Sequence, residues 1–478
     1  MLFNKSHKVF LITLILVCTG LSLQAWSITD TYFGNKVGTV DPRAFAMGGA
    51  TAYNNLSPMG ISSNPANLTQ IDRIFGLAGK AGLNRNEDNR AIPLYNSFDA
   101  YIDDAVISSN INEFYQYGAS GFANLHLGRL RLGGGLYYIP LTSFDGKYLE
   151  QIRNNRGTDN DGYPEMIAVN AMNNSGLVNK ASGVASVLYQ IDDEMNVSLG
   201  FDFGLINGDV EQVKSIRWTK WSEDQVGQGV LPDSTFTNEF SLEGQQMKAG
   251  ISMQLSPRLG VAAIYTMKST LDMAGSSRTQ QDAWLNHTAV DNTDNYDQDY
   301  VLPSEMRFGF CYQPRNVVRT WFNLDVEQVK WSDISDIYDD AYNLYVGVEH
   351  SIRNRIPFRI GFQSVTSYRI EEESQTVGGV VVPLKWAKKT LTPMITAGSS
   401  VALAQGLSLD LGFGFAWREY ESLDLFRDSY YDDKIYTGST TYALWPNSYI
   451  NLTDRGWDNP DKVSENFISL MTGLSFVW

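Results

Sequence analysis

The chain has 478 residues and a formal net charge of −16, and 43% of its residues are hydrophobic although the mean hydropathy is only −0.23. The acidity argues against nucleic acid as a partner, because a phosphate backbone calls for basic surface. Two cysteines, Cys18 and Cys311, exclude a disulfide framework.

Residues 1–25 read as an export signal. Lys5 and Lys8 form a positive start, Val9 to Gly20 an apolar run, and Ser22-Leu-Gln-Ala25 a cleavage site. The run is too short to span a bilayer as a helix, and no later segment has eighteen uninterrupted apolar residues. Val17 fits poorly before a lipid-modified Cys18. Processing removes two lysines and no acids, which moves the charge to −18. It leaves Cys311, read as an apolar filler in a strand.

Residues 26–73 show little alternation. They combine Gly34, Gly38, Gly48-Gly49, Pro42, Pro58, Gly60 and Pro65 with apolar anchors Phe45, Met47, Met59, Ile61 and Leu68. Such a stretch before the first strand is either a disordered periplasmic tail or a plug inside a barrel lumen, and the apolar anchors favour the plug.

From residue 74 to 478 the period becomes two. Fourteen such segments are predicted, near 74–83, 117–127, 130–139, 181–190, 195–206, 247–255, 259–267, 302–312, 318–328, 342–350, 356–365, 393–403, 407–417 and 466–478. In the fifth, Val197, Leu199, Phe201, Phe203 and Leu205 face one way, with Ser198, Gly200, Asp202 and Gly204 opposite. The thirteenth repeats the pattern from Leu407 to Trp417, and the last closes on Trp478. Connections alternate between short turns, such as Gly128-Arg129, and long polar stretches at 84–116, 140–180, 207–246, 268–301, 366–392 and 418–465; only 329–341 is short among the latter. An all-β fold follows: a transmembrane antiparallel β-barrel of about fourteen strands, with short periplasmic turns and long outer loops. One conflict stands out. Phe236, Phe240 and Leu242 lie on even positions but Met247, Ala249, Ile251 and Met253 on odd ones, which predicts a bulge near Gly244.

Two stretches of the plug, Arg43-Ala-Phe-Ala-Met-Gly-Gly-Ala50 and Gly60-Ile-Ser-Ser-Asn-Pro-Ala-Asn-Leu68, resemble the N-terminal hatch of the long-chain fatty acid transporter (FadL) family of outer-membrane barrels. Leu302-Pro-Ser-Glu-Met-Arg-Phe-Gly-Phe310 and Phe322-Asn-Leu-Asp-Val-Glu-Gln-Val-Lys-Trp331 are similar to its barrel strands. The resemblance implies passive uptake of hydrophobic compounds such as long-chain fatty acids across the outer membrane of a Gram-negative-type bacterium. Capture would occur at outer loops and release would follow movement of the plug. It implies membrane lipids, lipopolysaccharide, a hydrophobic small molecule and the barrel-assembly machinery as partners. PorV-like barrels of a secretion system share the Gly-rich and Asn-Pro-Ala start, so a scaffold that binds protein is the alternative.

The site residues divide into three groups. Asn64, Pro65 and Ala66, with Gly48 and Gly49, are the plug or gating candidates; the same motif also reads simply as a turn. Trp218, Trp221, Val230, Leu231, Phe236, Trp284, Leu285 and Val290 offer apolar surface in outer loops, or anchor at the membrane interface. By strand parity Tyr137, Ile139, Ile264, Trp321 and Tyr345 point inward. So do the charged Arg131, Lys248, Glu305, Arg307, Arg319, Asp325, Glu327, Glu349, Arg359 and Asp410, among which an arginine could hold a carboxylate in a bidentate fork or pair across the lumen. An enzyme is not expected. His126 and His350 fall near periplasmic turns, His287 lies in an outer loop without a recognisable partner spacing, and no Gly-x-Ser-x-Gly occurs. Neither Gly157-Thr-Asp-Asn-Asp-Gly162 nor Asp291, Asp294, Asp297 and Asp299 gives a full calcium loop, so no metal or cofactor is expected.

Overall fold

The structure, a computed structural model, describes residues 34–422 and 461–478 except 96–99, 154–165, 227–228, 230, 285, 316–318, 353–355 and 378–379. The signal segment 1–25 therefore lies outside the described residues.

Fourteen antiparallel strands close on themselves. They are β1 (Phe75–Tyr95), β2 (Tyr101–Leu127), β3 (Leu130–Ser143, resumed as Gly146–Arg153), β4 (Met166–Gln190), β5 (Asn196–Trp218), β6 (Ser234–Ser256) and β7 (Leu259–Thr266, resumed as Ser269–Gln281). They continue with β8 (Val290–Leu302, resumed as Glu305–Tyr312), β9 (Thr320–Val329), β10 (Ala341–Ile352), β11 (Ile356–Val377), β12 (Val380–Ala404), β13 (Leu407–Ser422) and β14 (Asp461–Val477). Each pairs with its sequence neighbour, and β14 pairs with β1 (Leu470 opposite Leu83), so the barrel closes at the level of the belt. At the two-residue turn between β2 and β3, Gly128 adopts φ 65°, the left-handed conformation that so tight a reversal needs.

Alternation sets the two faces. On β5, Leu199, Phe201, Phe203 and Leu205 are exposed on the outside while Ser198 and Asp202 are fully buried inside. Every strand contributes at least one large exposed hydrophobic residue to the outer face, and together they make a belt far larger than a water-soluble surface carries. Among the described residues no helix is long and apolar enough to cross a membrane. The strands make the crossing.

Several strands run far beyond the ten or so residues that a bilayer requires. The outer part of β5 pairs with β6 from Asn207–Glu243 to Ile216–Ser234, and resumed β7 pairs with resumed β8 from Ser269–Leu302 to Gln281–Val290. Much of the polar sequence expected as loop at 207–246 and 268–301 is therefore a standing wall of sheet. The bulge expected near Gly244 does not lie in β6, which keeps one register with β5 from Asn196–Gln254 to Ile216–Ser234; the one-residue shift on its other side, between Lys248–Thr266 and Glu243–Asp272, falls in β7. The parity conflict has another cause. Inside the belt lipid lies outside, so apolar residues face out. Above the belt water lies outside, so apolar residues face in, and Phe144, Ile206, Val210, Phe240, Leu242 and Leu271 form a buried cluster there.

Residues 34–71 occupy the lumen. Asn35–Lys36 pairs with Thr142–Ser143 of β3. Helix α1 (Pro42–Ala46) follows, with Asp41 as its N-cap (Ala44 N donates to Oδ2, 3.2 Å) and proline in its first turn. A 3-10 turn, Pro58–Ser62, is capped by Ser57, and helix α2 is Asn67–Gln70. Val40, Met59, Ile61 and Leu68 bury against Phe122, Tyr137 and Val184 of the wall. Phe45 buries against Met394, Phe467 and Met471.

Candidate ligand cavity in the lumen

The plug is seated by backbone proximity. Gly200, Gly250, Gly347 and Gly361 face inward from β5, β6, β10 and β11. A Cβ at these positions would come within 2.3 Å of the Pro65 carbonyl carbon, 2.1 Å of Asn64 Oδ1, 2.4 Å of the Met47 carbonyl oxygen and 2.0 Å of Gly48 N. The wall therefore lacks side chains where the plug touches it.

Within that seat Asn64 is fully buried. Its Nδ2 donates to the Ala52 carbonyl (2.7 Å) and to Ser252 Oγ (3.0 Å), while its Oδ1 accepts from Ala66 N (3.0 Å) and closes an Asx turn around Pro65. Ser198 Oγ donates to the Ala66 carbonyl at 2.6 Å. Gly48 and Gly49 both take positive φ, 62° and 78°; Gly48 N donates to Thr396 Oγ1 (2.9 Å), and the Gly49 carbonyl accepts from Arg307.

Above the plug lies a cavity of about 310 Å³. The extended segment 34–40 forms one side of it. Ile139 and Leu141 of β3, Ile264 of β7, Val329 of β9 and Met394 of β12 supply apolar wall, and Trp331 and Ile334, beyond β9, supply its cover. Four cations reach it. Lys36 pairs with Glu305. Arg307 pairs with Asp325 at 2.7 Å and lies 4.1 Å from the centroid of the Tyr345 ring. Arg418 pairs with Glu465 at 2.6 Å. Lys248 differs: its Nζ donates to the Ser62 carbonyl at 2.8 Å, and among the described residues no carboxylate lies within ion-pair distance of it.

Of the inward residues expected from parity, Ile139, Ile264, Tyr345, Lys248, Glu305, Arg307 and Glu327 line the cavity. Tyr137 lies buried in the plug interface and donates to Asp202. Arg359 holds Glu349 (2.6 Å) and Asp410 (3.2 Å), and Glu349 in turn holds Arg43 of the plug (3.2 Å). Trp321 sits half-buried on β9, paired in register with Glu349. Arg319 departs from the expectation: it is exposed beside the first residue of β9, where alternation no longer dictates direction.

The outer aromatic residues do not converge on the cavity. Trp218 Nε1 donates to the Pro232 carbonyl at 3.0 Å, Trp221 lies on helix α3 (Lys220–Val226), Phe236 is exposed, and Trp284 stacks on His287 at 4.1 Å. Leu285 is outside the described residues. The sequence reading passed over Trp331, Ile334 and Tyr368. For Trp331 a signal was present, since the inward series Asp325, Glu327, Val329 reaches it at the next odd position.

No protein-family model matches the chain, and no curated protein matches it by sequence. Solved structures do. A Pseudomonas aeruginosa FadL homologue superimposes with a TM-score of 0.57 at 10% identity, covering 93% of this chain and 99% of that one. The Pseudomonas putida toluene transporter TodX gives 0.54 at 13% identity over 91% and 97%. The Ralstonia pickettii toluene transporter TbuX gives 0.50 at 14% over 92% and 99%. The fold is that of the FadL-type channels.

At such identities the likeness carries the FadL-type fold and no substrate. A closed, even-stranded antiparallel barrel with an apolar belt is built for an outer membrane, and in this chain residues 34–71 pack inside it.

Proposed function

We propose that the chain is an outer-membrane channel for passive uptake of hydrophobic compounds. One observation carries the reading: a largely apolar cavity is left open inside the barrel above the packed plug. A barrel in lipid needs no apolar room within it, so such a room is suited to an apolar guest, and concave apolar space with a few polar groups is the usual form of a ligand site. Membrane lipid and lipopolysaccharide would surround the belt, and barrel-assembly machinery would insert it. Loading of the cavity would be followed by release toward the periplasm once the seat around Asn64, Pro65, Ala66, Gly48 and Gly49 loosens.

Lys248 bears on the substrate class. Because the other cavity cations are paired with acids, it is the group best placed to take a carboxylate, which favours a fatty acid over a bare hydrocarbon. Native mass spectrometry of the detergent-purified barrel, with uptake of labelled palmitate and of labelled naphthalene into proteoliposomes, tests both points. Lys248→Met is expected to weaken palmitate binding about tenfold, the size of one charge-assisted hydrogen bond, and to leave naphthalene unchanged. Pro65→Ala is expected to slow uptake without abolishing binding. Neither bound ligand nor uptake above empty liposomes would sink the channel reading and turn the search to protein partners of the outer wall.

A further inference from the structure

Two strands are interrupted side by side. Strand β7 stops at Thr266 and resumes at Ser269; β8 stops at Leu302 and resumes at Glu305, with Thr266 opposite Glu305 and Ser269 opposite Leu302. Pro303 sits in the second gap and has no N–H to donate, so the ladder fails there. On its other side β8 is paired with β9 only up to Glu305–Val329. Above that pair, among the described residues, Val290–Leu302 meets no strand on the β9 side, and the wall has a seam.

Residues 330–340 cover this seam. Ser304 N and Oγ donate to Asp333 Oδ2 at 3.0 and 2.5 Å, Lys330 N donates to the Ser304 carbonyl at 2.9 Å, and Lys268 Nζ donates to the Asp333 carbonyl at 2.7 Å. The fastening is thus a small polar clasp on the two broken strands. Beneath it the cover is apolar: Trp331 and Ile334 face the cavity, as do Leu302 and Pro303 on the opposite lip. Around its outer side Tyr265, Met267, Ile337 and Tyr342 are exposed, and below them the apolar belt begins with Met306, Phe308 and Leu324. The seam therefore opens at the upper rim of the belt, at the depth of outer-leaflet headgroups, and leads directly to the cavity.

We propose that amphiphiles held in the outer leaflet load the cavity sideways through the seam between β8 and β9, with the 330–340 segment as the seal and the Ser304–Asp333 clasp as its catch. The inference rests on the channel reading above. An amphiphile at headgroup depth would slide its tail past Pro303 and Trp331 into apolar surroundings without crossing the polar outer wall.

Stopped-flow fluorescence with 1-N-phenylnaphthylamine, on the full-length barrel in lipid nanodiscs, tests it. Asp333→Ala is expected to load the probe about tenfold faster with its equilibrium affinity unchanged, the factor corresponding to one lost charge-assisted hydrogen bond. The pair Ser304→Cys with Asp333→Cys, oxidised, is expected to load far more slowly and to recover with dithiothreitol. Cys311, fully buried, does not interfere. Retained heat-modifiable gel mobility controls for folding in each variant. Binding at wild-type rate by the oxidised pair overturns the seam while leaving the channel reading intact; absence of equilibrium probe binding by the wild type overturns both.

Discussion

Asn64 shows how one side chain can hold a large contact. It ties two turns of the plug together, it reaches Ser252 on the wall, and its carboxamide oxygen occupies the space in which a Cβ of residue 250 would stand. Gly250→Ala must therefore push the plug off its seat or strain it, at about 1–3 kcal/mol for overpacking. Single-channel recording should show a higher leak conductance and a lower melting temperature for this variant. Gly134, which faces outward with nothing within 4 Å, is the control, and Gly134→Ala should match the wild type; equal behaviour of the two variants would mean that the seat is soft. The Asn-Pro-Ala motif was legible in the sequence through its resemblance. The special standing of Lys248 was not, because a cation is unpaired only relative to acids brought near by the whole fold, and parity places Lys248 and Arg307 alike. Arg307 finds Asp325 on the neighbouring strand, whereas Lys248 finds a plug carbonyl and, among the described residues, no carboxylate within ion-pair distance. Asp333 illustrates the local version of this effect. Burial pushes its carboxyl up, but the Ser304 hydroxyl and amide and the nearby Lys330 and Lys268 outweigh burial and hold it below the ordinary aspartate value.

At the level of elements, what alternation announces depends on the solvent on each side. All fourteen strands were legible where lipid faces one side and the lumen the other, as at Leu199 to Leu205. Their outer extensions were not, because there the outward residues are polar, as with Asn207, Asp209 and Glu211, and the inward ones are sparse apolar residues in a polar stretch. The cluster around Phe240 holds these extensions upright; its ring meets Phe144 edge-on at 5.6 Å. Phe240→Ala removes that contact and leaves a cavity, worth roughly 3–5 kcal/mol for a buried phenylalanine. The loss should stay local, since a barrel can fray above the membrane while its belt stays closed. Limited trypsin digestion should then cut the variant within β5 to β8 above the belt, while the belt-level barrel keeps its folded gel mobility. Full protection would show that backbone pairing alone supports the wall.

For the molecule as a whole, the reversal of faces at the rim of the belt is a statement about where lipid ends. Phe308 and Phe236 are both exposed, at 57% and 41%, so exposure alone treats them alike. Their surroundings differ. Phe308 lies in the belt on β8, flanked outward by Met306 and Phe310, whereas Phe236 lies on the outer extension of β6, opposite Lys214 of β5 and Thr279 of β7. Arginine in place of a lipid-facing residue costs about 2–4 kcal/mol near the bilayer midplane and falls toward zero at the interface. Phe308→Arg should therefore lower the unfolding free energy measured by reversible urea titration in phospholipid vesicles by an amount in that range, while Phe236→Arg should change it little. The difference between them, rather than either value, is diagnostic, because both substitutions remove one phenyl ring and add one charge. Phe236 shares the inward parity of Phe240 and Leu242, so equal costs would mean that loss of the ring, rather than contact with lipid, sets both values. Unequal costs in the stated direction assign Phe308 to the lipid-facing belt, below the height at which the apolar residues turn inward.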